Sequence, residues 1–375
     1  MQVKPEIERF AKIKVVGVGG AGGNVLNSMI ESKQIQGVEF LAINTDAQDL
    51  SVNKSPIKVP IGQEITHGLG AGSDPEIGRQ SAQESTELLQ SHLEGSDMIF
   101  ITAGMGGGTG TGASPTIAKI AKDLGALTVG VVTKPFTFEG SQRMRIAERG
   151  IAELRGQVDA LITIPNQRLL EVADENMSII EAFRLSDSIL NQGVQGISDL
   201  IVMPGLINVD FADVKAIMKD AGTALMGIGI GTGDNRAEIA AKAAISSPLL
   251  EQSIDGAKGI LFNIIGGKDL TMREVDRAAN IIRQIADEDA NIIFGTTIDD
   301  ELAGKIKITV IATGFDTKEE DKGYNFVEKE YVPLPQKDEK RDERTDGPKS
   351  IFKPEDMGNQ DLQSKYDIPA FLRGK

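Results

Sequence analysis

Six glycines and two threonines share nine residues in GMGGGTGTG, positions 104–112. Glycine loses backbone entropy on folding and fills no core, so such a run persists where the chain turns sharply or a ligand comes close. The run follows the apolar DMIFITA and precedes the helix-like SPTIAKIAKDLG. Free N–H groups at a helix start favour an anion, and glycines let phosphate oxygens reach them. Thr109 and Thr111 add hydroxyl donors. Two more segments have the same character, GVGGAGGN at 17–24 and HGLGAGSD at 67–74. One glycine loop is a weak signal, but three on one edge imply a ligand with several phosphates. A second kind of chemistry is offered by Asp210 and Asp213 in NVDFADV. Two carboxylates three residues apart on one helix face can orient a water and accept its proton, the main help that phosphoryl transfer needs beyond charge neutralisation. The same acids also suit the N-cap and first turn of the helix FADVKAIMKDAG.

These residues need elements to hold them. Apolar β-rich runs (KIKVVGV, VEFLAIN, SPIKVPI, DMIFITA, ALTVGVVT, DALITIP) alternate with helix-period segments such as PEIGRQSAQESTELLQSHLEG and SQRMRIAERGIAELRG. Strands apolar on both faces predict a mainly parallel sheet covered by helices, an α/β fold. The glycine segments, NTD at 44–46 and TKPFTFEG at 133–140 then all open at the carboxyl edge, the usual ligand edge of such sheets. Asp74-Pro75 supplies a cap and a first-turn proline, and Gly125 a helix stop. The expected organisation is a nucleotide-binding domain over 1–173, a connecting helix over 174–203, and a second, smaller α/β domain over 204–315 with four strands and helices on one side. Residues 316–360 mix dense charge of both signs with Pro and Gly and are expected to be a disordered linker. Residues 361–375 form a terminal peptide whose apolar Ile368, Pro369, Ala370, Phe371 and Leu372 lie between Asp367 and Arg373. It is either a frayed end or a short segment that folds onto a partner.

Composition narrows the function. The 375 residues contain no cysteine and only two histidines, His67 and His92, which argues against disulfides and against thiolate or imidazole metal sites. The start MQVKPEIERFAKIK has no apolar signal core, and no uninterrupted apolar span of about 18 residues occurs. The chain is expected to be cytoplasmic, with no insertion into a membrane. A net charge of −15 and the absence of Trp argue against a nucleic-acid partner. Gly17-Val-Gly19-Gly-Ala-Gly22 satisfies the dinucleotide fingerprint and would suggest a nicotinamide oxidoreductase. The second strand, however, ends in Asn44-Thr45-Asp46 instead of placing an acid at its tip, and such an enzyme has no use for a second, richer glycine loop. No Gly-Lys-Ser or Gly-Lys-Thr occurs, so the phosphates are held without the usual lysine. A nucleotide-binding scaffold that does not hydrolyse is the other alternative, favoured only if the two acids are mere caps.

GGGTGTG at 106–112 resembles the tubulin signature loop. With GGAGGN before it near the N-terminus, NVDFADV in the second half and DIPAFLR at the end, the chain resembles, along its whole length, the tubulin/FtsZ family and, within it, the bacterial cell-division GTPases. The resemblance implies GTP and GDP as ligands, with Mg²⁺ neutralising the phosphates. It implies that Gly20, Ala21, Gly22, Gly23 and Asn24 contact the diphosphate. Gly104, Gly106, Gly107, Gly108, Thr109, Gly110, Thr111 and Gly112 would wrap the phosphates, with Gly70, Ala71 and Gly72 near the terminal one. Asn44, Thr133 and Pro135 would line the same site. Glu139 and Arg143 would meet the ribose and nearby phosphate oxygens, although four residues apart at a helix start they also suit a surface ion pair. Asn166 and Asp187 would read the guanine edge, since a carboxylate can accept from both the ring N–H and the exocyclic amine. Phe183, one turn before Asp187, is placed to stack on the base or else to join the core. Asn208, Asp210 and Asp213 would act on the nucleotide of a neighbouring subunit, so the site is complete only in a head-to-tail homopolymer, an open filament. The implied role is the contractile ring at the mid-cell division site beneath the inner membrane. Membrane-tethering and regulatory division proteins would bind the segment 367–373, with the linker setting their distance from the filament.

Overall fold

The computed structural model describes residues 11–172, 177–203, 205–207, 209–247, 249–250 and 253–315. The expected linker, the terminal peptide and the boundary at 173/174 lie outside the described residues, as does Asn208. Strands β1 (Ile13–Val18), β2 (Val38–Asn44), β3 (Ile57–Pro60), β4 (Met98–Gly104), β5 (Leu127–Lys134) and β6 (Ala160–Pro165) alternate with helices. The helices are α1 (Gly19–Ser32), α2 (Ala47–Val52), α3 (Gln63–Thr66), α4 (Pro75–Glu84), α5 (Thr86–Leu93), α6 (Thr109–Asp123), α7 (Ser141–Arg155) and α8 (Asn166–Val172). The long α9 (Ile179–Val202) and short α10 (Phe211–Met218) lead to β7 (Gly222–Thr232). Then come α11 (Arg236–Ile245), β8 (Gly259–Gly266), α12 (Met272–Arg283), β9 (Asn291–Ile298) and β10 (Lys305–Thr313). No helix among the described residues is long and apolar enough to cross a membrane.

The strands hydrogen-bond in the order β3-β2-β1-β4-β5-β6-β7-β10-β8-β9. From β3 to β7 every pairing is parallel, while β10 runs antiparallel to both β7 and β8. The α/β class read from the alternation is therefore the observed one. Its cause is visible along single strands. In β4, Met98 and Phe100 enter the core shared with Val25 and Leu26 of α1 and Val194 and Ile197 of α9. Their neighbours Ile99 and Ile101 enter the opposite core, against Leu89 of α5, Ile117 of α6 and Ile151 of α7. A third core packs α11 and α12 on β7, β8 and β10.

Three local outcomes differ from the sequence expectation. The helix read as one piece from Pro75 breaks at Ser85, whose hydroxyl accepts the Gly62 N–H at 3.2 Å. Serine competes for backbone bonds in this way wherever a partner is offered. Helices α1 and α6 both begin inside their glycine runs, at Gly19 and Thr109, so those runs are first helical turns as much as loops. The short α2 was not foreseen; Asp46 starts it by accepting the N–H groups of Gln48 and Asp49. At α9 the capping box is complete: Ser178 Oγ accepts the Glu181 N–H, and Glu181 accepts the Ser178 N–H at 2.8 Å.

Candidate functional site

The starts of α1 and α6 converge. A Cβ added to Gly19 would lie 2.9 Å from the Gly110 nitrogen, and one added to Gly104 would lie 2.6 Å from the Ala21 Cβ. Neither helix has a side-chain cap or an acid in its first turn. Two positive helix ends with unspent N–H groups thus meet at the carboxyl edge of β1 and β4, which is an anion site by geometry. The glycines around it divide by what surrounds them. A Cβ at Gly17 or Gly22 would strike neighbouring backbone or Leu26, and one at Gly112 would strike the Pro75 carbonyl, so these serve close packing. At Gly107 and Gly72 a Cβ would meet nothing within 4 Å, and at Gly20 only Asp49 Oδ2 at 3.4 Å. These three face open space where a ligand can approach; Gly20, Ala21, Asn24 and Gly72 are exposed, while Gly23, Gly106, Gly108 and Gly110 are buried. Gly70, with φ of +85°, donates to the Thr45 carbonyl at 3.2 Å and brings the segment with buried Ala71 alongside Gly108.

The threonine hydroxyls act differently from the free donors expected. Thr109 Oγ1 pairs with Thr45 Oγ1 at 2.6 Å, and Thr111 Oγ1 accepts the Gly106 N–H at 2.8 Å. They brace the loops, leaving the phosphate contacts to backbone N–H groups. Asn44 is buried; its amide donates to Asp49 at 2.7 Å while its oxygen accepts the Thr45 and Asp46 N–H groups. Thr133, one residue before the end of β5, accepts the Met105 N–H on its carbonyl at 3.0 Å, and buried Pro135 follows the strand. Glu139 and Arg143 do pair with each other, at 3.1 Å, and Glu139 also accepts the Phe136 N–H at 2.8 Å. The Arg143 stem packs over Gly106, at 2.7 Å from an added Cβ, so the pair stands beside the glycine loop and leaves the guanidinium half exposed.

The next two parallel elements supply a polar and aromatic corner. Asn166, the first residue of α8 after β6, is buried, and its side-chain oxygen accepts a hydrogen bond from Ser186 Oγ at 2.8 Å. Asp187 on α9 is largely buried, and burial alone pushes its carboxyl up to about 6. No cation or hydrogen-bond donor among the described residues compensates it, so a ligand carrying N–H donors would. Phe183 is 40% exposed, with its ring 5.4 Å from Phe136 and 6.5 Å from Phe138, edge to face in both cases. Phe136 and Phe138 were not singled out from the sequence. The alternating FTFE was the available signal, but which ring stays exposed depends on the 3₁₀ turn Thr137–Glu139.

The acidic loop lies elsewhere. Asp210 occupies the N-cap position of α10, yet its side chain makes no capping bond, and both Asp210 and Asp213 are exposed. Helix α9 explains their location. Its 24 residues span about 36 Å at 1.5 Å per residue. Phe183 and Asp187 stand near its start, while Val202 at its end packs on Gly37, in the turn that enters β2. That turn is at the amino edge of the parallel strands. The loop leaving α9 is pinned to β9 by the Leu206 N–H to the Thr296 carbonyl, at 3.0 Å, and by the isolated bridge of Ile207 with Thr296. One chain therefore holds its glycine loops and its acidic pair at opposite edges of the sheet.

The family model described as Tubulin/FtsZ family, GTPase domain matches residues 12–174, and that of the FtsZ family, C-terminal domain matches 222–316. Among solved structures, an empty FtsZ dimer from M. jannaschii is 45% identical, with a TM-score of 0.78 over 82% of this chain and 89% of that one. A GTPγS-bound protofilament of CetZ2 from Haloferax volcanii, 22% identical, gives 0.68 over 81% and 93%. The GDP-bound monomer of CetZ1 from the same organism, 23% identical, gives 0.70 over 82% and 95%. The CetZ likeness is one of fold. Identity at nearly half of all positions across most of both chains says more: this chain belongs to the tubulin/FtsZ family, and it is a GTPase.

Proposed function

We propose that this GTPase assembles head to tail into filaments, and that each subunit's Asp210 and Asp213 act on the GTP held by the next. The observation that carries this reading is the separation of the two halves of the chemistry along α9. Guanine lies beside Phe183 with its edge against Asn166 and Asp187, the phosphates on the N–H groups of the α1 and α6 starts, and the ribose beside Glu139 and Arg143. The exposed acids of a second subunit close the site from above. One of them orients a water and takes its proton as the water oxygen attacks the terminal phosphorus, and the bridging oxygen leaves with GDP. Among the described residues no three metal-ligating side chains converge. Mg²⁺, when bound, would neutralise charge on the phosphates. The dimeric state of the M. jannaschii relative supports self-association. The division ring, the cytoplasmic setting beneath the membrane and the tethering partners of the segment 367–373 belong to the same proposal and rest on the family.

Right-angle light scattering recorded together with phosphate release, over a series of protein concentrations, tests this. Scattering is expected only with GTP and Mg²⁺, above a critical concentration, with phosphate release per subunit switching on at that same concentration. Release independent of concentration, or equal activity with ATP, would overturn the shared site or the base role of Asp187.

A further inference from the structure

Asp159 enters β6 at the amino edge of the sheet and is only 3% exposed. Its Oδ2 accepts the Thr128 N–H at 2.9 Å, and its Oδ1 accepts the Asp220 N–H at 3.4 Å. Its carbonyl accepts the Gly222 N–H at 2.9 Å. Lys122, at the end of α6, lies 3.2 Å from Asp159 and 2.8 Å from Asp220. A buried carboxylate is costly unless paired, and here the cation and the N–H groups are its partners. The turn these bonds hold is the one leaving α10, with Asp220 in the left-handed region at φ +51°. Eight residues of helix do not hold themselves, and the Asp210 side chain adds no cap. Helix α10 packs Val214, Ile217 and Met218 into the core, and its two ends are fixed by the bridge at Thr296 before it and the catch on Asp159 after it.

We propose that Asp159, with Lys122 as its counter-ion, is a positioning residue for GTP hydrolysis: by catching the α10–β7 turn it sets the height and angle at which Asp210 and Asp213 meet the neighbouring subunit's nucleotide. This rests on the assignment of those two acids above. The network lies at the edge of the sheet away from the glycine loops, so loosening it leaves the subunit's own nucleotide binding alone and lowers only the turnover it supports in its neighbour. Small displacements of reacting groups are enough to slow a reaction by orders of magnitude.

The test uses the full chain with Asp159→Asn, Lys122→Met and Lys122→Arg, and Asp213→Ala alongside. GDP affinity is measured on unassembled protein, critical concentration by scattering, and phosphate release per assembled subunit. Asp159→Asn turns one acceptor into a donor facing N–H groups, and Lys122→Met leaves the carboxylate without its cation. Both are expected to bind GDP and assemble as the parent does, while turnover falls roughly 5- to 100-fold. Lys122→Arg is expected to restore turnover to within about twofold. If Asp159→Asn does not fold, the contrast between Met and Arg at the half-buried Lys122 decides. Parent-like turnover in the Asn and Met variants, or GDP affinity falling in step with turnover, overturns the proposal. If Asp213→Ala itself hydrolyses normally, the acid assignment falls with it; if only Asp213→Ala is slow, the positioning role alone is withdrawn.

Discussion

Burial holds the Asp187 carboxyl at about 6, and no cation among the described residues stands beside it. In the unfolded chain the group returns to its ordinary 3.8, so the folded, nucleotide-free protein binds that proton more tightly. Its stability is therefore highest below pH 3.8 as far as this group is concerned, and the contribution is lost as pH rises through 6. Guanine binding runs the other way, because the base needs the ionised carboxylate. Lowering the pH from about 7.5 to about 5.5 is expected to weaken GDP binding roughly fourfold, and Asp187→Asn to bind weakly with a flat profile; isothermal titration at the two pH values checks both. Gly107 offers a second test of the same site. A methyl group there meets no protein atom, so Gly107→Ala is expected to melt like the parent without nucleotide and yet lose about tenfold or more in GDP affinity, since the methyl occupies the space open to phosphate.

Between helices, glycine answers to a different demand. Gly112 of α6 lies against the Pro75 carbonyl of α4, and Gly78 of α4 lies against the Gly108 carbonyl. The two helices can approach this closely only because neither carries a Cβ at the contact. Gly112→Ala is expected to cost about 1–3 kcal/mol or more and to lower the melting temperature with or without nucleotide, the opposite pattern to Gly107→Ala; thermal melts of both variants in the two conditions make the comparison. The difference between these glycines could not be read from GMGGGTGTG, where they look alike. The strands could be read, because residues such as Met98, Ile99, Phe100 and Ile101 are apolar on both faces and only a doubly covered parallel strand uses them so. Asp187 was legible through the family motifs, but its burial and its lack of a counter-charge are properties of α9 packed in place. Phe138 was missed because the side of a 3₁₀ turn on which a ring emerges depends on neighbours far along the chain.

Across the whole molecule, the decisive fact is direction. The strand alternation told which edge would collect the glycine loops, and NVDFADV told where the acids stood in the chain, but only the path of α9 shows that they stand at opposite edges. Mixed filaments examine this directly. When Asp213→Ala subunits are blended with parent at constant total concentration, assembly is expected to persist while phosphate release falls in proportion to the blended fraction, because each interface takes its acids from one subunit. A fall in assembly itself would mean that the acids chiefly hold the interface. One more consequence follows from the amino-edge position of the acidic loop. In the proposed polymer, the last nucleotide at the carboxyl end has nothing above it until another subunit lands, so cleavage there always trails growth by one addition. The tip keeps the triphosphate while the interior drifts toward diphosphate, and the polymer carries along its length a chemical record of how recently each part was built.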